Sequence, residues 1–147
     1  MIEDGLWLVF LFRKQILIPT MARTKAGYYM GIEPVEVADL HNQEAIESAI
    51  LRIVKKGNPV VPTPQGGTKF PKSPLLKYTK MKSISSFDRI AKSWQFAKRD
   101  GAFLIVPYKP RVDRGKEEDT ERGEAIPVGV SLETAVHRLV ERVLVGT

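Results

Sequence analysis

The chain contains no cysteine. That excludes a disulfide scaffold, a Cys-ligated zinc or iron–sulfur site, and a thiol nucleophile. Histidine is scarce as well: His41 and His137 are the only two, too few for a His-rich metal centre. No metal and no cofactor are expected. Long apolar runs are also missing. The longest, Leu6–Phe12, has seven residues, against the ~20 that a membrane-spanning helix needs. Glu3 and Asp4 precede this run and Arg13-Lys14 follow it, the wrong charge pattern for a secretory signal. A cytoplasmic protein without a membrane partner is the expectation.

What is present suits an ordinary domain: 147 residues, 43% hydrophobic and 27% charged. A chain of this length buries roughly 68–70% of its unfolded surface, so no metal or disulfide is needed to hold it. Residues 1–147 read as one domain. The short aromatic run Leu6–Phe12 reads as a fully buried strand, with Gln15–Pro19 a second strand after a tight Arg13-Lys14 connection. The alternative is that the natural start is Met21 and residues 1–20 are an upstream extension.

Tyr28–Ile32 and Val35–Val37 read as strands split by Glu33-Pro34. A helix is predicted over Asn42–Lys56, where Ile46, Ala49, Ile50, Ile53 and Val54 make one apolar stripe. Asp39 or Asn42 can cap it, and Gly57 and Pro59 stop it. Val60–Pro62 reads as a brief strand. Four prolines and Gly66-Gly67 within residues 62–74 forbid regular structure there. Leu75–Tyr78 resumes an extended pattern, and Ser85 or Ser86 can cap a short helix bearing Phe87. Trp94–Ala97 and Phe103–Val106 form a hairpin around Asp100-Gly101. Residues 109–124 read as a solvated charged loop. A last amphipathic helix runs over Leu132–Leu144 behind Ser131. The expected architecture is α+β: a mainly antiparallel sheet with two amphipathic helices packed on one face.

No catalytic constellation is visible. His41 reads as a capping or surface residue and His137 as a helix-boundary residue, and nothing ties either to a serine or a carboxylate. Glu44 and Glu47 suit the positive end of the first helix dipole. Gln65-Gly66-Gly67-Thr68-Lys69 lacks the Lys-Ser/Thr order and the following helix of a phosphate loop. The protein is expected not to be an enzyme.

The charge distribution says more. The net charge of +6 is not spread evenly: nine cations stand between Thr68 and Arg99 against Asp88 alone. Aromatics interleave with them. A partner- or polyanion-binding region is therefore predicted at Lys69, Lys72, Lys77, Tyr78, Lys80, Lys82, Arg89, Lys92, Lys98 and Arg99. Such a region can meet an acidic protein surface, or it can bind phosphates and stack bases as a nucleic-acid-binding module over residues 68–99. The bland reading makes Phe87, Trp94 and Phe96 core and the lysines a solvated face.

The run Gly57-Asn58-Pro59-Val60-Val61-Pro62-Thr63-Pro64, then Leu75-Leu76-Lys77-Tyr78, Ser86-Phe87, Trp94 and Phe103–Val106, resembles a pattern in small, mostly uncharacterised bacterial proteins. Some of these are similar to immunity proteins of contact-dependent or polymorphic toxin systems. The resemblance covers residues 20–108. It implies binding and occlusion of a toxin domain and no active-site residues. For a basic chain it implies an acidic partner surface.

Overall fold

Alternate residues of the first strand point to opposite faces of a sheet, and both faces are covered. The computed structural model describes residues 3–64, 73–111 and 115–146. Strands β1 (Gly5–Phe12), β2 (Gln15–Thr24) and β3 (Tyr29–Asp39) form an antiparallel meander. Helix α1 (Gln43–Lys55) follows, then the two-residue strand β4 (Val60–Val61), which pairs in parallel with β2. Two short helices, α2 (Leu75–Thr79) and α3 (Ile84–Ile90), lead into the hairpin of β5 (Lys92–Arg99) and β6 (Ala102–Pro110). After β7 (Lys116–Glu118), a 3-10 turn at Thr120–Arg122 and β8 (Glu124–Ile126), the chain ends on helix α4 (Leu132–Val145).

The class is α+β, and among the described residues eight strands join in one sheet of order β3-β2-β1-β5-β6-β7. β4 lies beside β2, and β8 beside β6. The first strand is central, since β1 pairs with both β2 and β5. It is not uniformly buried as the sequence suggested: Trp7, Val9 and Leu11 are shut in, whereas Leu6, Leu8 and Phe10 remain half-buried.

That alternation sorts the core into two clusters. Trp7, Val9, Ile16 and Ile18 pack with the apolar stripes of α1 and α4. Phe12 and Leu17, which point the other way, pack with Leu75 and Phe87 of α2 and α3. The sequence anticipated two helices on one face. The structure has four among the described residues, because the opposite face carries its own cover.

The caps follow hydroxyl and amide chemistry. Asn42 Oδ1 accepts from Ala45 N–H at 3.1 Å, and Ser131 Oγ from Thr134 N–H at 3.1 Å. The cap of α3 is Ser83, whose Oγ accepts from Ser86 N–H, rather than Ser85 or Ser86. Leu75–Tyr78 is helical, not extended. It is too short for periodicity to separate the two states, and Leu75 is drawn onto Leu17 and Val35.

Residues 109–124 are not a loop throughout. β7 and β8 add successively to the outer edge of β6, through Tyr108↔Glu118 and Phe103↔Ile126. Charged side chains can line such an edge because the ladder needs only backbone groups. Glu124 then anchors the segment, taking Arg138 Nε–H at 2.7 Å and an Arg142 N–H at 2.8 Å.

Candidate functional site

The described residues contain no group of three or more His, Cys, Asp or Glu side chains placed to hold a metal. Nor does any buried side-chain nitrogen or oxygen among them lack a hydrogen-bond partner. A pocket built to orient a small molecule ordinarily keeps a few convergent polar groups for it. His41 belongs to the α1 cap region, where its backbone N–H meets Asp39 Oδ1 at 2.8 Å. His137 does have a carboxylate partner, contrary to the sequence reading. Its Nδ1 lies 2.7 Å from Glu47 Oε1, joining α4 to α1. The two are 90 positions apart, a pairing that only the helix–helix contact creates.

A cleft of about 350 Å³ opens at one end of the sheet, near the C-terminus of α1. Its walls mix Glu3 and Asp4 with Arg23, Lys55 and Lys56 beside Tyr29. Asp4 is already engaged, accepting Asp100 N–H at 3.1 Å. Opposed charges of this kind select no ligand class.

The basic region is distributed over three places. Lys77 and Tyr78 lie on α2, Lys80 and Lys82 in the α2–α3 connection, and Arg89 on α3. All five sit on the cover over the second sheet face. Lys92 instead reaches the C-terminus of α4, donating to the Gly146 carbonyl at 2.5 Å, where a cation complements the helix dipole. Lys98 and Arg99 lie at the far end of β5, about 20 Å from Lys92 at ~3.4 Å per residue. Lys69, Lys72 and the Gln65–Lys69 glycine stretch lie outside the described residues.

Within the cover, Glu33 of β3 organises α2. Tyr78 Oη–H donates to Glu33 Oε2 at 2.9 Å, and Lys77 Nζ approaches Oε1 at 4.0 Å. This hydrogen bond, helped by partial burial, raises the Tyr78 phenol above its ordinary range. Asp88 is pushed up by burial, against the pull of Lys116. Lys116 Nζ–H meanwhile bonds the Ala91 carbonyl at 3.2 Å.

The aromatics among these cations are mostly core. Phe87 and Phe96 are fully buried and Trp94 is 5% exposed. They offer no stacking platform for bases. Two other surface features accompany the cations: Ile84 and Ile90 on α3 are exposed at 43% and 48%.

One cation escaped sequence reading. In sequence Arg13 reads only as part of a tight connection, but its guanidinium lies 4.8 Å from the Phe12 ring centroid. Phe12 in turn stacks on Phe87 at 5.4 Å and 22°. The β1–β2 turn thereby joins the α2–α3 cover. The residues are some 75 positions apart in sequence, so no local signal announces it.

No family profile matches the chain, and no curated protein matches it. Solved structures do resemble it. A protein of unknown function from Neisseria meningitidis matches with a TM-score of 0.67 at 11% identity, over 98% of this chain and 94% of that one. A chain of a CdiA-CT/CdiI toxin and immunity complex from Yersinia pseudotuberculosis matches with a TM-score of 0.65 at 10% identity. That alignment spans 99% of this chain and 97% of the other. At such identities the likeness is one of fold: this chain shares its architecture, end to end, with a chain known from a toxin–immunity assembly.

Proposed function

We propose that this protein is a non-enzymatic binding protein that acts by protein–protein contact, and specifically an immunity protein that neutralises a bacterial toxin by occluding it. The observation that carries this reading is the full-length fold likeness to a chain of the CdiA-CT/CdiI complex. The resemblance of residues 20–108 to small immunity-like proteins points the same way. So does the composition of the α2–α3 cover. A surface mixing cations with exposed aliphatic groups suits a protein partner, and long-range attraction from the cations speeds encounter with an acidic one.

On this reading Lys77, Tyr78, Lys80, Lys82 and Arg89 contact the partner. Lys98 and Arg99 stand apart from that surface. The protein works as a single domain in the cytoplasm. No helix among the described residues is long and apolar enough to cross a membrane.

The test is co-expression with a candidate toxin domain, taken first from the product of the adjacent gene. A stable 1:1 complex and rescue of growth are expected. Loss of the reading follows if the purified domains do not associate and growth is not rescued. Retention on heparin with steep salt dependence, in a protein that ignores the toxin domain, would place it with nucleic-acid-binding modules instead.

A further inference from the structure

Three non-glycine residues among those described hold a positive φ: Arg13 at 57°, Lys80 at 58° and Asp100 at 52°. Asp100 has a local reason. It and Gly101 form the two-residue turn of the β5–β6 hairpin, where Asp-Gly is favoured, and its N–H is held by Asp4.

Arg13 and Lys80 meet a similar local demand with side chains that these positions do not favour. Arg13 takes the first central position of the two-residue turn closing Phe12↔Gln15, a place where glycine relieves the backbone. Lys80 ends α2 in the left-handed conformation, a position that also favours glycine or asparagine. A long cation at either site strains the backbone without any compensating ion pair, since neither makes one among the described residues. Left-handed backbone at non-glycine residues concentrates where a side chain is needed for recognition.

Both residues adjoin the α2–α3 cover. The Arg13 guanidinium rests on Phe12, and Phe12 is stacked on Phe87 of α3. Lys80 enters the connection that leads into the same helix. A cation held over an aromatic ring loses little rotamer freedom on binding, which is how an arginine becomes an anchor.

We propose that Arg13 and Lys80 are the anchoring cations of a docking surface for an acidic protein segment, with Lys82 and Arg89 around them and Ile84 and Ile90 as its apolar contacts. The exposed isoleucines favour a protein over a nucleic acid, as does the burial of Phe87, Trp94 and Phe96. This deepens the binding-protein reading and rests on it for the kind of partner. It does not require the partner to be a toxin.

The discriminating variants are Arg13→Gly and Lys80→Gly, because backbone relief and loss of charge act in opposite directions. Each is expected to keep or raise Tm while weakening binding to immobilised poly-L-glutamate ~3-fold, and roughly tenfold together. Arg13→Gln and Lys80→Gln keep the backbone strain and remove the charge, so they should lose the same affinity at little change in Tm. Arg99→Ala, at the far end of β5, should leave affinity unchanged.

Equal losses for all three positions would reduce the effect to diffuse charge and overturn the proposal. Tighter binding of a 20-base-pair DNA duplex than of poly-L-glutamate would assign the surface to nucleic acid. Poly-L-glutamate affinity unaffected by Arg13→Gln and Lys80→Gln, in a protein that neutralises the toxin domain, would refute this docking surface and leave the immunity reading standing. The poly-L-glutamate pattern without any toxin neutralisation would do the reverse.

Discussion

Asn58 behaves towards Leu6 as a neighbouring strand would. Its Oδ1 accepts the Leu6 N–H at 3.1 Å and its Nδ2 donates to the Leu6 carbonyl at 2.9 Å. A further Nδ2 bond reaches the Met21 carbonyl at 2.9 Å. The direct register of β1 with β2 covers only Phe10–Phe12 against Gln15–Leu17. Where the two strands part, one side-chain amide occupies the gap.

Replacing Asn58 by Ala should therefore destabilise by about 3 kcal/mol, because several backbone groups lose their partners together. For a domain of this size that is a fall in Tm of roughly 6–12 °C. Gly5 leaves room for the amide: a Cβ there would collide with Asn58 Oδ1 and lie 2.8 Å from the Trp7 ring. Gly5→Ala should cost a similar amount, and the double variant less than the sum. Strict additivity, measured by thermal unfolding, would contradict this account of Asn58.

Removing residues 1–20 should abolish cooperative folding. β1 lies between β2 and β5, and it buries Trp7, Val9, Leu11 and Phe12. Its loss opens the sheet at its centre and exposes apolar surface on both sides. Circular dichroism melts of residues 21–147 should show no sharp transition. A cooperative melt would mean that the sheet can close without β1 and the first part of β2.

Phe87→Ala should loosen α2 and α3 while leaving α1 and α4 protected. Truncating a fully buried phenylalanine costs about 3–5 kcal/mol, and this one meets Phe10, at 5.5 Å, and Phe12. Amide hydrogen exchange is expected to accelerate over residues 75–90 and to hold in both long helices. Uniform acceleration through the whole chain would show the two clusters to be a single cooperative unit.

Acid should remove the anchor of β8. The Arg138 hydrogen bond, reinforced by Arg142, holds the Glu124 carboxyl below the usual carboxylate range. In the unfolded chain that carboxyl titrates at its ordinary, higher value. The stabilisation is thus complete above the ordinary value and disappears as pH falls through the folded one. Glu124→Gln should cost about 1 kcal/mol at neutral pH, after allowance for solvent screening. The Tm curves of the two proteins should converge below about pH 4. A constant gap down to pH 3 would count against the pairing.

The elements legible in the sequence are those written in local chemistry. The stripe Ile46, Ala49, Ile50, Ile53, Val54 repeats often enough to mark α1, and Asp100-Gly101 states the β5–β6 turn through its backbone preference. α2 was hidden because five residues hold too little of any period. β7 and β8 were hidden because edge strands need backbone partners rather than apolar side chains. Of the candidate site, the cations of α2 and α3 were visible as a charge run. The departure of Lys92 to Gly146 and the arrival of Arg13 over Phe12 depend on where distant strands end. Charge counting along the chain does not contain that information.

The division of the interior into two clusters also bears on how such a protein can change over generations. The α1–α4 side holds the larger cluster, including the fully buried Trp7 and Phe96. The α2–α3 side rests on a small set around Phe87 and Leu75. Volume-conserving exchange is tolerated most easily where few neighbours must adjust. On the binding role proposed above, residues outward of Phe87 can therefore be rewritten to follow a drifting partner while the larger cluster keeps the sheet in register. A lineage built this way can switch what it recognises through a handful of substitutions, without first having to find a new fold.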